Sequence, residues 1–352
     1  MRLVLIGDGD SPHLLKWARA LHTRVDLWAV SSRGFLPGFD AILPIERRLA
    51  LNTSPHFEGG NSAILKRLPK VARWLKAAQP DWLHAHYLTS HGTLAWLAQR
   101  LYRVPGRLVA SAWGSDILVT PQRSAAARWL TRRVLRACAV TTSDSHYMAE
   151  RMRELGARDV MILPFGLEAL PPLPGEKDEA LFFANRGLEP IYAPQRVIAL
   201  FASIAARMPR ARLVVANDGS LRGELEAQAA SLGLAERVRF TGRLDAATQA
   251  CHYARAMWYI SLPQSDAVSV SVLEAMAHGC VPLLSDLPAN RELVTHGETG
   301  WIFGPGDDDA MAAIETLRPK ATEIAGRNHA WVRDNALFEP AVERFLARLR
   351  SS

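Results

Sequence analysis

The sequence predicts two α/β domains, each a parallel sheet covered by helices on both sides, and three observations lead there. Short apolar runs alternate with helical stretches through both halves of the chain. Its 352 residues exceed what one hydrophobic core usually accommodates. A proline-rich stretch at 164–180, PFGLEALPPLPGEKDEA, interrupts the alternation and reads as a linker, because proline resists the interior of helix and strand alike. The boundary is therefore expected near residue 170, giving a first domain over 1–170 and a second over 171–335. The segment 336–352 is expected to pack back on the first.

The elements follow in order. In MRLVLIG only Leu3 to Ile6 are consecutively apolar before Gly and Asp, which suits a first strand and not a signal peptide. VDLWAV, WLHAHY, RLVASAW and AVTTSD continue the first sheet, with helices such as SPHLLKWARAL and HGTLAWLAQRLY between them. ALFFANR, ARLVVAND, VRFTG, AMWYISL and VPLLSD repeat the scheme in the second half. FEPAVERFLARLR reads as an amphipathic helix with Phe338, Val342, Phe345 and Leu349 on one side. Open sheets of this kind bind ligands at the carboxyl ends of their strands, so two such domains facing each other would set a site between them.

Composition narrows the function classes. Hydrophobic residues at 49% and charged ones at 22% leave no sizeable region to disorder. Three widely spaced cysteines without a CxxC pair suggest neither a disulfide framework nor a structural zinc site, and point to a reducing compartment. No run approaches the roughly 18 apolar residues of a membrane-spanning helix, so a cytoplasmic protein, soluble or peripheral on the inner membrane face, is expected. The net charge of +7 is uneven: residues 1–170 carry 23 Lys and Arg against 13 Asp and Glu, the remainder 19 against 22. In SAILKRLPKVARWLKAA, Ile64, Leu65, Leu68, Val71, Ala72 and Leu75 are expected on one helical face and Lys66, Arg67, Lys70, Arg73 and Lys76 on the other. RSAAARWLTRRVLRA adds Arg123, Arg128, Arg132, Arg133 and Arg136. Against an anionic bilayer each such charge could contribute about 1 kcal/mol; a plain solvated face is the other reading. Nucleic acid is not expected as a partner, since no aromatic residues are interleaved as a stacking platform.

The stretch most suggestive of chemistry is SDAVSVSVLEAMAHG at 265–279. Ser271 with Glu274 fits the S-x-x-E capping box and Gly279 a C-terminal stop, so a helix is expected to begin near Ser269, Val270 and Ser271, just past a strand end. Its leading amides have no intrahelical partners and lie at the positive end of the helix dipole, which suits phosphate. Asp266 in the loop and Glu274 on the first turn would then flank one ligand, one holding a ribose diol and the other a sugar. The spacing alone also fits a plain capping box, with Glu274 folded back on the Ser271 amide and Asp266 an exposed loop acid.

The run SDAVSVSVLEAMAHGCVPLLSDLPANRELVTHGETGWIF resembles the signature of the retaining glycosyltransferases of family four: an acid, seven residues, then Glu274 to Ala277, Gly279, Glu292, and Thr299 with Gly300. RLVVANDGSLRGELEAQAASLGLAERVRFTGRL is similar to that family's base-binding region. The resemblance implies the GT-B fold, two Rossmann-like domains facing across a cleft, and a nucleotide-diphosphate sugar as donor. It places Asp266, where the family usually has Glu, at the transferred sugar and Glu274 at the ribose. In ANRGLEPIYAPQ, Arg186 stands at the phosphate-clamp Arg and Tyr192 where Lys is usual; a simple pair of Arg186 with Glu189 is the other reading. GDGDSP resembles the family's glycine loop, with Gly7 and Gly9 letting the chain approach ligand, though glycine in such a turn can serve its torsions alone.

SAWGSDIL has Trp113 where many family members have His, and Asp116 matches the family's Asp. His86, in WLHAHYLTSHG, is the histidine nearest to replacing it as a catalytic group; His84 and His86 are expected on opposite faces of their strand, so that at most one meets ligand. His86, His91 and Asp116 as a metal trio is a lesser alternative to a structural role. The implied chemistry is front-side attack by an acceptor hydroxyl with the donor phosphate taking its proton, needing neither metal nor cofactor. The expected acceptor is a glycan or lipid-linked molecule of a bacterial surface polysaccharide or glycolipid. A non-catalytic binding subunit, or a sugar-nucleotide epimerase, are the alternatives on the same fold.

Overall fold

Strands that are apolar on both faces can be satisfied only inside a sheet covered on both sides. The computed structural model describes residues 1–53, 62–304, 306 and 309–352, and among the described residues two such sheets form. The first contains β1 (Arg2–Gly7), β2 (Asp26–Ser31), β3 (Arg48–Ala50), β4 (Trp82–His86), β5 (Arg107–Ser111), β6 (Val140–Ser143) and β7 (Val160–Ile162). The second contains β8 (Asp178–Ala184), β9 (Arg212–Ala216), β10 (Val238–Gly242), β11 (Ala256–Ser261), β12 (Val281–Ser285) and β13 (Trp301–Phe303). Their orders are β3-β2-β1-β4-β5-β6-β7 and β10-β9-β8-β11-β12-β13, with all neighbours parallel. In each sheet the winding reverses once, between β1 and β4 and between β8 and β11. Such a switch point leaves a crevice at the strand ends, and both side-chain clusters described below start there.

The chain divides into two compact units, Met1–Leu163 with Glu339–Ser352, and Pro164–Phe338. The first break thus lies at the start of the expected linker, a few residues before the boundary expected near 170. Backbone bonds explain the difference: Leu167 N–H donates to Ala336 O and Phe338 N–H to Leu167 O, each at 2.8 Å, which ties the Pro164 segment to the second unit. The final helix, Phe338–Ser351, straddles the other break. Phe338 stays with the second unit, edge-on to Phe165 at 5.2 Å. Val342, Phe345, Leu346 and Leu349 are buried in the first unit, where Phe345 meets Trp17 at 5.1 Å and His84 at 4.8 Å. Arg24 pairs with Glu339 and Glu343 on the same helix.

The predicted basic helix is shorter than its pattern. Residues Ser62–Leu65 and Leu68–Ala78 form separate helices, with Pro69 in the first turn of the second, where a missing N–H costs nothing. Leu65, expected on the apolar face, is 41% exposed because the break turns it outward. Lys66, Arg67, Lys70, Arg73 and Lys76 are all exposed.

In the second unit, adjacent residues of β8 feed opposite layers, as strand alternation requires. Phe182 packs with Phe201 and Trp258, while Phe183 packs with Tyr253 and Tyr259. The second layer carries the polar site described below.

Truncating Phe345 to Ala removes a fully buried ring from between Trp17 and His84. The expected loss is about 3–5 kcal/mol, read as a lower urea midpoint, whereas Arg350→Ala at the exposed end of the same helix should change it little.

Candidate functional site

In the second unit the switch point is lined by Asn185 and Arg186, directly after β8, and by the loop that leads from β11 to the helix Val270–Ala277. Arg186 joins the two. Its Nη2 donates to Asp266 Oδ2 at 2.6 Å and its Nη1 to Ser269 Oγ at 2.8 Å. Its guanidinium carbon lies 4.4 Å from the centre of the Tyr192 ring. The phenol at the position of the usual Lys is therefore a platform under the guanidinium, in cation–π geometry. Arg186 Nε is buried without a hydrogen-bond partner among the described residues. An orphaned donor on a cation is costly unless an anion meets it.

Ser269 has extended backbone and precedes the first helical residue, but its side chain makes no capping bond to the helix. Its oxygen is used by Arg186 instead. The helix N-terminus thus keeps its partial positive charge beside the guanidinium, a pairing suited to phosphate oxygens.

The predicted capping box does not form. Val270, not a residue after Ser271, opens the helix, so Glu274 is its fifth residue and lies beyond the first turn. Glu274 Oε2 accepts instead from Tyr253 Oη at 3.0 Å and Gln249 Nε2 at 3.1 Å. Asp266 is not an exposed loop acid either: its side chain is 17% exposed and paired with Arg186. Burial raises the Asp266 carboxyl above the usual carboxylate range even with Arg186 drawing it down. Arg186 does not pair with Glu189, which accepts from the Ser220 amide at 3.0 Å and hydroxyl at 2.6 Å. Gln249, Tyr253, Asn185 and Tyr259 were not foreseen. They lie in unremarkable helix and strand segments, and only the position of Asn185 beside Arg186 hints at a role.

In the first unit the corresponding crevice is built by the ends of β1, β4 and β5. A cavity of about 350 Å³ is lined by Asp8, His13, Arg33, His86, Tyr87 and Trp113, among others. The Trp113 ring lies parallel to Tyr87 at 5.8 Å and tilted against His13 at 5.0 Å. Gly9 does not offer its amide to this cavity. Its N–H donates to Ser31 Oγ at 2.7 Å, and a Cβ there would come within 2.5 Å of Gly34 O, so the glycine serves close packing of two loops.

Asp116 is 1% exposed. Its two oxygens accept from the amides of Leu88 at 2.9 Å and Trp113 at 3.0 Å. Each amide adjoins a residue with left-handed backbone, Tyr87 at φ 67° and Gly114 at φ 108°. For Tyr87 that conformation is strained, and it begins a short π-helix, Tyr87–Gly92. The carboxylate thus clamps the turns that carry Tyr87 and Trp113. Desolvation nevertheless raises its pKa.

His84 and His86 do not point to opposite faces. Residues two apart in a strand share one, and the two rings are 4.3 Å apart. His84 Nε2 lies 2.7 Å from Ser111 Oγ, whereas both nitrogens of His86 are buried without a hydrogen-bond partner among the described residues. Burial pushes His84 down to about 3 and His86 well below the usual imidazole value. The trio His86, His91 and Asp116 is not assembled as a ligand set: Asp116 is spent on amides and His91 Nδ1 faces His86 O at 2.7 Å. Among the described residues no group of three His, Cys, Asp or Glu side chains gathers to hold a metal.

Residues 2–145 match the family model described as Glycosyl transferase 4-like, and residues 168–317 the model described as Glycosyl transferases group 1. The fold is similar over 100% of both chains to the crystal structure of Anabaena Alr3699/HepE in complex with UDP and glucose, at a TM-score of 0.81 and 16% identity. Two Rossmann-like sheets with these switch points define the GT-B fold of glycosyltransferases. The chain belongs to glycosyltransferase family four. Alpha-monoglucosyldiacylglycerol synthase of Streptococcus pneumoniae is 29% identical over 123 residues, covering 35% of this chain and 28% of that protein. Phosphatidyl-myo-inositol mannosyltransferase of Mycolicibacterium smegmatis is 28% identical over 255 residues, covering 69% of this chain and 63% of that protein. The matched segment is thus less than two thirds of either relative's length.

The buried imidazoles predict an acid-sensitive fold. Below the ordinary His value of about 6.5 the unfolded chain binds protons on these rings that the folded chain refuses, so stability falls as pH drops, by about 1.4 kcal/mol per pH unit per ring. His86→Phe should remove one ring's share of that slope, measured as the urea midpoint between pH 7 and pH 5.

Proposed function

We propose that the chain moves a sugar from a nucleotide-diphosphate donor to a hydroxyl of a glycan or lipid-linked acceptor, with retention at the anomeric carbon. The observation that carries this reading is Arg186, whose buried guanidinium joins Asp266, Ser269 and the open end of the Val270–Ala277 helix while its Nε lacks a partner among the described residues. A diphosphate bound there would take donors from the guanidinium and from the leading amides at Val270 and Ser271. Asp266 stands beside it for the transferred sugar and Glu274 for the ribose. Glucose bound with UDP in the Anabaena relative supports UDP as the nucleotide.

In the proposed reaction the acceptor oxygen bonds to the anomeric carbon on the face the phosphate leaves. The bond from that carbon to the phosphate oxygen breaks, and the acceptor proton passes to the departing phosphate. Negative charge grows on the leaving diphosphate, and preorganised donors at that point contribute most to rate. The route calls on no divalent ion, because Arg186 and the helix end supply the positive charge. In the first unit, Trp113 and Tyr87 offer flat apolar faces to a sugar ring, His86 stands behind them with both ring nitrogens lacking a hydrogen-bond partner among the described residues, and Asp116 acts through the backbone it clamps.

The names of the two relatives, a diacylglycerol glycoside synthase and a phosphatidylinositol mannosyltransferase, favour a lipid-linked acceptor. So does the exposed face of the first unit. The helices Leu68–Ala78, Thr93–Tyr102 and Ala125–Ala137 pack side by side, and with the residues flanking them expose the basic side chains named above. Leu101, 64% exposed, and Trp129, 54% exposed with Arg133 over its ring, add apolar anchors. No described helix is long and apolar enough to cross a membrane, so contact at the surface of an anionic bilayer is the mode proposed.

Wild-type protein should be stabilised against heat by UDP more than by GDP and should release the nucleotide diphosphate from its donor when given acceptor lipid. Arg186→Ala should lower kcat/KM by about 100-fold or more, and Glu274→Ala should abolish donor-dependent release with the fold intact; stable donor binding without release under any acceptor extract would leave the binding-subunit reading instead. Lys70→Glu, Arg73→Glu and Lys76→Glu together should reduce flotation with phosphatidylglycerol vesicles at least tenfold, about three Lys-equivalents of surface attraction being reversed. Flotation that never depended on anionic lipid would remove the surface-binding reading.

A further inference from the structure

Behind Glu274 runs a buried chain of polar groups. Tyr259 Oη donates to Asn185 Oδ1 at 2.8 Å, Asn185 Nδ2 donates to Tyr253 Oη at 2.8 Å, and Tyr253 Oη donates to Glu274 Oε2 at 3.0 Å, with Ser271 O at 3.2 Å as a second acceptor. Tyr253 is 1% exposed, Tyr259 is fully buried and Asn185 is 5% exposed. We propose that Tyr253 is a positioning residue for donor recognition: it holds the Glu274 carboxylate in the orientation that grips the ribose diol, and Asn185 and Tyr259 fix the direction of its hydroxyl. The inference rests on the reading of Glu274 as the ribose-binding carboxylate.

The direction of the chain is determined by charge. A carboxylate only accepts, so Tyr253 must give Glu274 its single proton. Its oxygen is then an acceptor, which calls for the amide nitrogen of Asn185 on that side and places the amide oxygen toward Tyr259, whose hydroxyl must donate. Reversing any member breaks the bond at Glu274. Burial, with Glu274 alongside, pushes the Tyr253 hydroxyl well above the usual phenol range, and burial does the same to Tyr259, so both remain donors across the working pH range. Gln249 Nε2, at 3.1 Å, is the second donor to the same oxygen, from one turn earlier on the helix Ala246–Arg255. The carboxylate is thereby fixed by a neighbouring helix and the first strand of the sheet, and not by its own helix alone.

The test separates the ribose hydroxyls from everything else a nucleotide contacts. Affinities of UDP and 2′,3′-dideoxy-UDP, with GDP and 2′,3′-dideoxy-GDP in parallel because the ribose is common to both, are measured calorimetrically for wild type, Tyr253→Phe, Asn185→Asp and Glu274→Ala. Thermal unfolding is recorded for each. Tyr253→Phe should weaken the ribonucleotide about tenfold and the dideoxy form less than twofold, since the lost bond to a charged acceptor acts only through the diol. Asn185→Asp, which turns the Tyr253 proton toward itself, should do the same, and the double variant should be no weaker than the weaker single one. Equal weakening of both nucleotide forms by Tyr253→Phe overturns the proposal and makes Tyr253 a packing residue. Failure of Glu274→Ala itself to distinguish the two forms overturns the ribose assignment, and the proposal with it. A wild type that binds none of the four nucleotides overturns the transferase reading as well.

Discussion

The contact between Arg186 and Asp266, at 2.6 Å, bridges the two strand ends at which the second sheet changes its winding direction. Strand β8 delivers the cation and the loop after β11 the anion. A parallel sheet brings those ends together but says nothing about what happens beyond them, and an ion pair in this partly buried place would be poor value for stability alone. It makes sense as a holding arrangement. Asp266, Ser269 and the Tyr192 ring together confine a guanidinium that would otherwise sample many rotamers, and they confine it next to a helix end of the same sign.

The two units solve the same positioning problem by different means. In the second, side chains hold side chains: Tyr253 and Gln249 hold Glu274, and Ser269 holds Arg186. In the first, a carboxylate holds backbone. Asp116 accepts from two amides 25 residues apart in sequence, Leu88 and Trp113, and so keeps two irregular turns in place beneath an aromatic cluster. This division explains why the loss of a histidine at Trp113 need not dismantle the first unit's crevice. Its shape resides in the turns, and the turns answer to Asp116.

Much of this was legible in the sequence, and the limits have identifiable causes. Ten strands announce themselves as apolar runs. β3, β7 and β13 do not, being three-residue strands at or near sheet edges, too short to show a pattern and defined by register with a longer neighbour. The helix from 62 to 78 reads as one because its polar and apolar residues keep period across Leu65, yet the chain breaks there before Pro69. At the site, Asp266 and Glu274 were accessible because they lie eight residues apart in one recognisable stretch, and Arg186, 80 residues before Asp266, only through the family resemblance of its own segment. The groups that orient Glu274 were not, since Gln249 and Tyr253 precede it by 25 and 21 residues and reach it only through sheet packing. The capping box illustrates the same limit: Ser271 and Glu274 have the right separation, but tertiary donors compete more effectively for the carboxylate than the amide next door. Asp116 was identifiable by type, and its work as a backbone clamp was not.

The last helix has a consequence for how the chain comes to exist. Residues Glu339–Ser352 complete a hydrophobic layer begun by Trp17 and closed at His84, while the second unit is one unbroken segment, Pro164–Phe338. On the ribosome, then, the half made first must wait with its layer uncovered until residues 339–352 emerge, whereas the half made later can close as soon as Phe338 clears the exit tunnel. The order of birth and the order of completion are inverted, and the interval between them is when Trp17 and its neighbours stand open to a chaperone.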